Sequence, residues 1–243
     1  MADRVKKGPK VAQPSPKSGV SSYLRALSAL VRKELASELR SRELLSAMLV
    51  FSFLVILVFN FALELQSQLR QEITSGVLWV TLTFAGTLGL NRSMGQEQER
   101  DCMQGLLLTP VDRSAIYFGK ALANLLFIWL VALIVMPLFG LLYNVNLLKP
   151  GVFLAVGLGT VGYSAVGTLL STMAVQTRTR DVLLPILLFP VFLPVLIAAV
   201  KTSNGYLQQV PMAEIRPWVN IMLAYDVIFI AVAMMVYEYV VQE

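Results

Sequence analysis

Polar and apolar positions along the chain fall into six long apolar blocks separated by polar segments of very unequal size. The first block, Leu44 to Leu63, carries no charge over twenty residues. At about 1.5 Å rise per residue, a helix of that length crosses a hydrocarbon core roughly 30 Å thick. The others are Ile73 to Leu90, Ala121 to Leu142, Val152 to Ala174, Val182 to Val200 and Val219 to Val236. Ahead of them Ser21 and Ser22 can cap a helix. Leu24, Leu27, Leu30, Val31, Leu35 and Leu39 then recur at helical spacing, while Arg25, Arg32, Lys33, Glu34 and Arg40 fill much of the remainder. That pattern predicts an amphipathic helix over 21–43, lying along the inner membrane surface. Residues 1–20, rich in Pro, Lys, Ser and Gly, read as a disordered tail. The predicted fold is thus an all-α membrane protein: a tail, an interfacial helix, and a domain of six transmembrane helices over 44–243.

Charge fixes the orientation of this bundle. Ten Lys and Arg residues precede the first span, and an inside N-terminus places sixteen on the inner side against four outside. The positive-inside rule then puts both termini and the segment after the second span in the cytoplasm. Under this topology Ser203 falls in an outer loop and accepts label from outside, whereas Gln96 is reached only from inside. The net charge of +5 is explained by that asymmetry. No interleaving of basic and aromatic residues calls for a nucleic-acid partner. A cleaved leader is not expected, because the first apolar block starts beyond residue 40 and is long enough to span.

The segment 91–120 stands out, since two antiparallel spans can be joined by far fewer residues. Glu97, Glu99, Arg100 and Asp101 give it charge, and Gly105 with Leu106, Leu107 and Leu108 gives it an apolar stretch. Thr109 can cap a helix, Pro110 suits the first helical position and Asp112 the third, so a helix is expected to start at Pro110 and run past Arg113 into the third span. Such an insert, joined directly to two spans, suits a surface on which a cytoplasmic protein pushes. The alternative is a solvated connector.

At these residues the chain resembles a known family. The stretch GVLWVTLTFAGTLGLNRSMGQEQERD running into GLLLTPVDRSAIYFGKALANLLF is similar to the ABC-2 type permeases and, more narrowly, to the haem exporter protein B (CcmB) family of the cytochrome c maturation system. The likeness covers nearly the whole chain after residue 20. It implies an ABC-2 permease architecture in a bacterial inner membrane and pairing of the permease with itself. It also implies association with a separate ATP-binding subunit, CcmA, and with CcmC and CcmD, to act on the haem chaperone CcmE. ATP would be held by the partner: no Gly-x-x-x-x-Gly-Lys-Ser/Thr phosphate loop occurs in this sequence, so no enzyme activity is expected of the chain itself.

Haem is the substrate the resemblance implies, yet the chain has no histidine, the commonest axial ligand. The single Cys102 reads as an incidental thiol and the ten Met residues as packing groups. No cofactor is expected to be bound by the chain. Among polar residues inside the spans, Asp226 is the candidate functional group, because a carboxylate in hydrocarbon is costly by roughly 2.5 to 3.5 kcal/mol. It is expected to face the bundle, a partner or the outer interface, either as a ligand or conformational contact or as a residue close enough to the outer headgroups to stay wet. Its nearness to Val219 favours the wet or partner-facing version. Asn60 and Asn124 suit interhelical hydrogen bonds, and Ala85 with Gly89 and Ala155 with Gly159 have the small-x-x-x-small spacing of close helix packing. Pro185, Pro190 and Pro194 are expected to bend the fifth span. Residues 201–217 are expected to lie on the outer surface as short helical pieces.

Overall fold

The computed structural model describes residues 20–62, 67–99, 113–174 and 180–240. Seven helices account for nearly all of them: α1 (Val20–Ser41), α2 (Glu43–Ala62), α3 (Ser67–Glu99), α4 (Arg113–Tyr143), α5 (Pro150–Ala174), α6 (Arg180–Leu207) and α7 (Met212–Val240). No strand occurs among the described residues. Six helices, α2 to α7, are long and apolar enough to cross a membrane. The all-helical arrangement follows from the solvent: within hydrocarbon, backbone N–H and C=O groups must be paired inside the segment itself. The expected tail lies outside the described residues, apart from Val20, with which α1 begins.

Helix ends are set by local chemistry. Arg42, with φ 55°, makes the break between α1 and α2. Buried Glu38 accepts a hydrogen bond from the Leu45 N–H at 2.8 Å, satisfying a donor in the first turn of α2. At the other end of the spans, Gln209 at φ 59° and a Val210 N–H to Gly205 carbonyl bond of 2.9 Å stop α6. The Lys149 ammonium donates to the Tyr206 and Leu207 carbonyls at 3.3 and 3.0 Å, covering orphan acceptors of that terminus.

This tight stop corrects the expectation for 201–217. The region is not a loop with helical pieces: α6 continues to Leu207 and α7 begins at Met212, leaving only a turn between them. Ser203 is carried on the helix with its partner inside the bundle, and Asn204 accepts from Gln208 Nε2 at 3.2 Å at the exposed end of the same helix. Ser203 is fully buried and its hydroxyl accepts from Trp79 Nε1 at 3.0 Å, so it is no labelling position. All three prolines of α6 are accommodated within one continuous helix.

The core sits on α3 and α5, which bury most of their spanning surface, whereas α2 and α7 bury least. The glycines act as sockets. A Cβ on Gly159 would lie 2.2 Å from the Trp79 ring of α3. One on Gly89 would lie 2.8 Å from Met48 Sδ of α2, and one on Gly86 2.7 Å from the Tyr163 ring of α5. Ala85 and Ala155 are fully buried beside them. The expected small-residue packing is therefore present, but what it admits at Gly89 and Gly159 is a large side chain from the facing helix. On the polar side of the membrane, α1 packs its inner face on α4, with Leu30 2.8 Å from the position of a Gly119 Cβ.

Two measurements check this arrangement. With Cys102 replaced by Ser, a cysteine at Gln208, exposed in the α6–α7 turn, is expected to react with an impermeant reagent from outside. One at Ser28, exposed on α1, reacts only from inside; the reverse pattern overturns the topology. Gly159→Ala is expected to destabilise the protein in detergent by about 1 to 3 kcal/mol through overpacking. Ser203→Ala, losing one interhelical hydrogen bond, costs about 0.6 to 1.7 kcal/mol.

Candidate functional site

The candidate coupling segment is flanked by two helices longer than the spans they contain. α3 runs past the expected end of its span at Leu90 and places Glu97 and Glu99 in its final turns, while Arg113 opens α4. The connector is therefore shorter than 91–120: the described parts on both sides are helical, leaving 100–112 between them. Arg100, Asp101, Gly105, Leu106, Leu107, Leu108, Pro110 and Asp112 lie outside the described residues, as do Cys102 and the expected helix start at Pro110. The near ends are tied into the bundle. Arg92 of α3 pairs with Glu43 at the start of α2 at 3.3 Å, and Leu30 of α1 sits on Gly119 of α4.

From this end, α4 is stitched to α5 along nearly two turns of helix. The Tyr117 hydroxyl donates to the Ala165 carbonyl at 2.7 Å, Ser164 donates back to the Ala121 carbonyl, and Asn124 Nδ2 donates to Thr168 Oγ1 at 3.0 Å. Asn124 thus makes the interhelical bond expected of it; Asn60, on α2, is half-buried. Deeper in, α5 is joined to α3 by Tyr163, whose hydroxyl donates to the Thr83 carbonyl at 3.1 Å and lies 2.8 Å from Thr87 Oγ1. The start of α4 is thereby joined to α5 and, through it, to α3. Sequence reasoning missed Tyr117, Tyr163 and Trp79. The available signal was an aromatic with a polar tip inside a span, which in hydrocarbon must find a partner.

Asp226 is not where the hydropathy blocks put it. Because α7 starts at Met212 rather than near Val219, Asp226 lies fourteen residues from one end of the 212–236 span and ten from the other. It thus stands near the middle of its helix rather than in its first turns. Its side chain is 5% exposed, which corrects the wet placement, and it points at α5: Oδ1 lies 2.5 Å from where a Gly162 Cβ would be. That oxygen is buried and has no hydrogen-bond partner among the described residues. Gly162 makes the approach feasible by presenting no side chain. Neighbouring Tyr225 turns the other way and donates to the Val191 carbonyl of α6 at 3.1 Å.

Metal-ligating groups are not brought together: no cluster of three or more His, Cys, Asp or Glu occurs among the described residues. Met48, Met136 and Met222 are fully buried packing groups.

The fold and its apolar exterior define a multi-pass, all-α membrane protein built on two buried central helices. The sequence matches the CcmB protein family over residues 25–242, and the chain belongs to that family. It is similar to Heme exporter protein B of Pseudomonas aeruginosa, 29% identical over 192 residues, covering 79% of this chain and 86% of the relative. Heme exporter protein B of Rhodobacter capsulatus is 28% identical over 192 residues, 76% of this chain and 87% of the relative. That of Bradyrhizobium diazoefficiens is 26% identical over 183 residues, 75% and 82% of the two chains.

The geometry at Asp226 predicts an unusual mutational response. Removing one partner of a buried ion pair is strongly destabilising, but among the described residues Asp226 Oδ1 has no partner to lose, and the substitution removes a buried charge. Asp226→Asn is expected to hold or raise the thermal midpoint of the purified protein; a fall of several degrees would show that the carboxylate is stabilised within the fold.

Proposed function

We propose that this chain is the membrane permease subunit of an ATP-driven complex in a bacterial inner membrane, with both termini cytoplasmic, acting on haem during cytochrome c maturation. The observation that carries this reading is the family match over residues 25–242 on a chain with six helices able to span, together with relatives named Heme exporter protein B. In this reading the chain is not an enzyme. ATP is bound and hydrolysed by a separate subunit of the CcmA type, CcmC and CcmD are membrane neighbours, the haem chaperone CcmE receives or releases the cargo, and two copies of the permease pair.

The mechanical part of the proposal rests on connectivity. A push on 97–113 acts on the end of α3 and the beginning of α4 at once. The Tyr117, Ser164 and Asn124 bonds then hand the motion of α4 to α5, the most interconnected helix of the bundle. Rigid helices that shift against one another in this way are a recurrent means of transmitting a distant event. Asp226, near the middle of α7 and facing α5, is where a change in the α5 position alters the surroundings of a carboxylate most.

A second reading has its own support. The complete absence of histidine favours a subunit that transmits the ATPase stroke to a neighbouring haem-handling protein without gripping haem itself. Haem movement by the purified complex, measured with this chain as the sole permease, separates the two.

The coupling assignment has a direct test. Photo-crosslinkers at Met103 and Leu107 are expected to capture the ATP-binding subunit in the assembled complex. Deleting 105–108 is expected to abolish cytochrome c maturation while leaving the permease folded in the membrane. Reversing Glu97 and Glu99 weakens docking less, since an exposed ion pair is worth about 0 to 1 kcal/mol. No crosslink at either position removes the coupling role. Asp226→Asn, in the same cells, is expected to lower cytochrome c yield without lowering permease abundance; an unchanged yield returns Asp226 to a packing position.

A further inference from the structure

A groove of about 420 Å³ opens on the flank of the bundle beneath α1. Tyr23 and Leu27 of α1 roof it, Phe118 and Leu122 of α4 form one wall, Val161 of α5 lies on its floor, and Ile230 of α7 stands on the far side. Phe118 is four residues inside the α4 span and Val161 eleven residues from the start of the α5 span, so the groove runs from the level of the α4 terminus to mid-depth.

Its polar neighbours are already engaged. The Ser164 hydroxyl donates to the Ala121 carbonyl and the Tyr117 hydroxyl to the Ala165 carbonyl, which leaves an apolar surface with little to hold water. An apolar cavity of roughly 150 Å³ already stays dry and accepts a small hydrocarbon. This one is larger, sits at the depth of the acyl chains and opens between α4 and α7, which touch each other only sparsely.

The roof helix supplies the second half of the site. Its inner face bears Tyr23, Leu27 and Leu30, while Arg25 and Arg32 are exposed on the opposite face, seven residues apart and hence on one stripe. A helix so divided, set at the headgroup level, presents cations to an anionic headgroup whose chain lies below it. We propose that the groove holds one acyl chain of an anionic phospholipid from the leaflet on the α1 side, its headgroup at the arginines of α1. The site is independent of the transport reading, since it needs only the membrane and the contact of α1 with α4.

The experiment uses the full chain in nanodiscs containing a trace of phosphatidylglycerol with a photoreactive acyl chain, the crosslinked peptides being mapped by mass spectrometry. Labelling is expected to concentrate on 118–125 and around Ile230. It is expected to fall by about tenfold in the Arg25→Gln/Arg32→Gln double variant, whose side chains are exposed and whose fold is undisturbed. Ala121→Phe, which fills the groove, is expected to abolish it. A phosphatidylcholine probe of the same chain labels the groove weakly. Equal labelling by both probes, or labelling spread evenly to lipid-facing positions such as Phe53 and Leu54 of α2, overturns the proposal. So does a crosslink from Leu122 to a second copy of the chain in place of lipid.

Discussion

In hydrocarbon, bringing two apolar helices together removes no surface from water, and the bundle must be held by contact quality instead. This chain meets that constraint by seating large side chains in the sockets left by glycines. α5 is the clearest case, receiving Tyr206 of α6 at Gly151, Trp79 of α3 at Gly159, Asp226 and Tyr225 of α7 at Gly162, and Leu90 of α3 at Gly167. Three different helices are thereby fixed to one, and dispersion contacts at close range replace the hydrophobic effect. A β-carbon at any of these positions would displace a ring, a carboxylate or a leucine, so the helix order around α5 depends on their absence.

Hydrogen bonds follow from the same proximity. Once Trp79 lies over Gly159, its indole N–H is inside the bundle and must find Ser203. Once Tyr163 fills the space at Gly86, its hydroxyl meets Thr83 and Thr87. Each such bond contributes only about 0.6 kcal/mol on average, yet leaving the donor unpaired would cost more. They specify register more than they add stability. Asp226 Oδ1, like Ser75 Oγ, is buried without a hydrogen-bond partner among the described residues, and it belongs to a carboxylate near the middle of its helix. Natural bundles keep such a group where it is used, which is the physical ground for placing it in the proposed mechanism.

The same design relates the two ends of the proposed machine. α1 is joined to α4 at Gly119, α4 to α5 by three hydrogen bonds, and α5 to α3, α6 and α7 through its glycines. In the proposed function, these joints are the route by which a force applied between α3 and α4 reaches the centre. The lateral groove lies where two helices, α4 and α7, touch only sparsely, and the proposed lipid chain would complete the packing there.

Much of this was legible in the residues. Six long apolar runs, five of them free of charge and the sixth carrying Asp226, a basic N-terminal helix with apolar residues at steps of three and four, and a charged connector after the second run point to a six-span helical protein, because lipid admits so few alternatives. The family resemblance rested on that connector and its flanks, and Asn124 was correctly read as an interhelical donor. What the residues alone misplaced were depth and ends. Asp226 was set near the outer surface and 201–217 in a loop, because polar residues such as Ser203, Asn204 and Arg216 interrupt a hydropathy block even when the helix continues and, at Ser203, meets its partner inside the bundle. Which glycine takes which side chain could not be read from a small-x-x-x-small spacing, since that spacing marks a gap in one helix and says nothing of what faces it. Only the tertiary structure, by setting Trp79 above Gly159 and Gly162 opposite Asp226, decided which polar groups are satisfied and which carboxylate oxygen has no partner among the described residues.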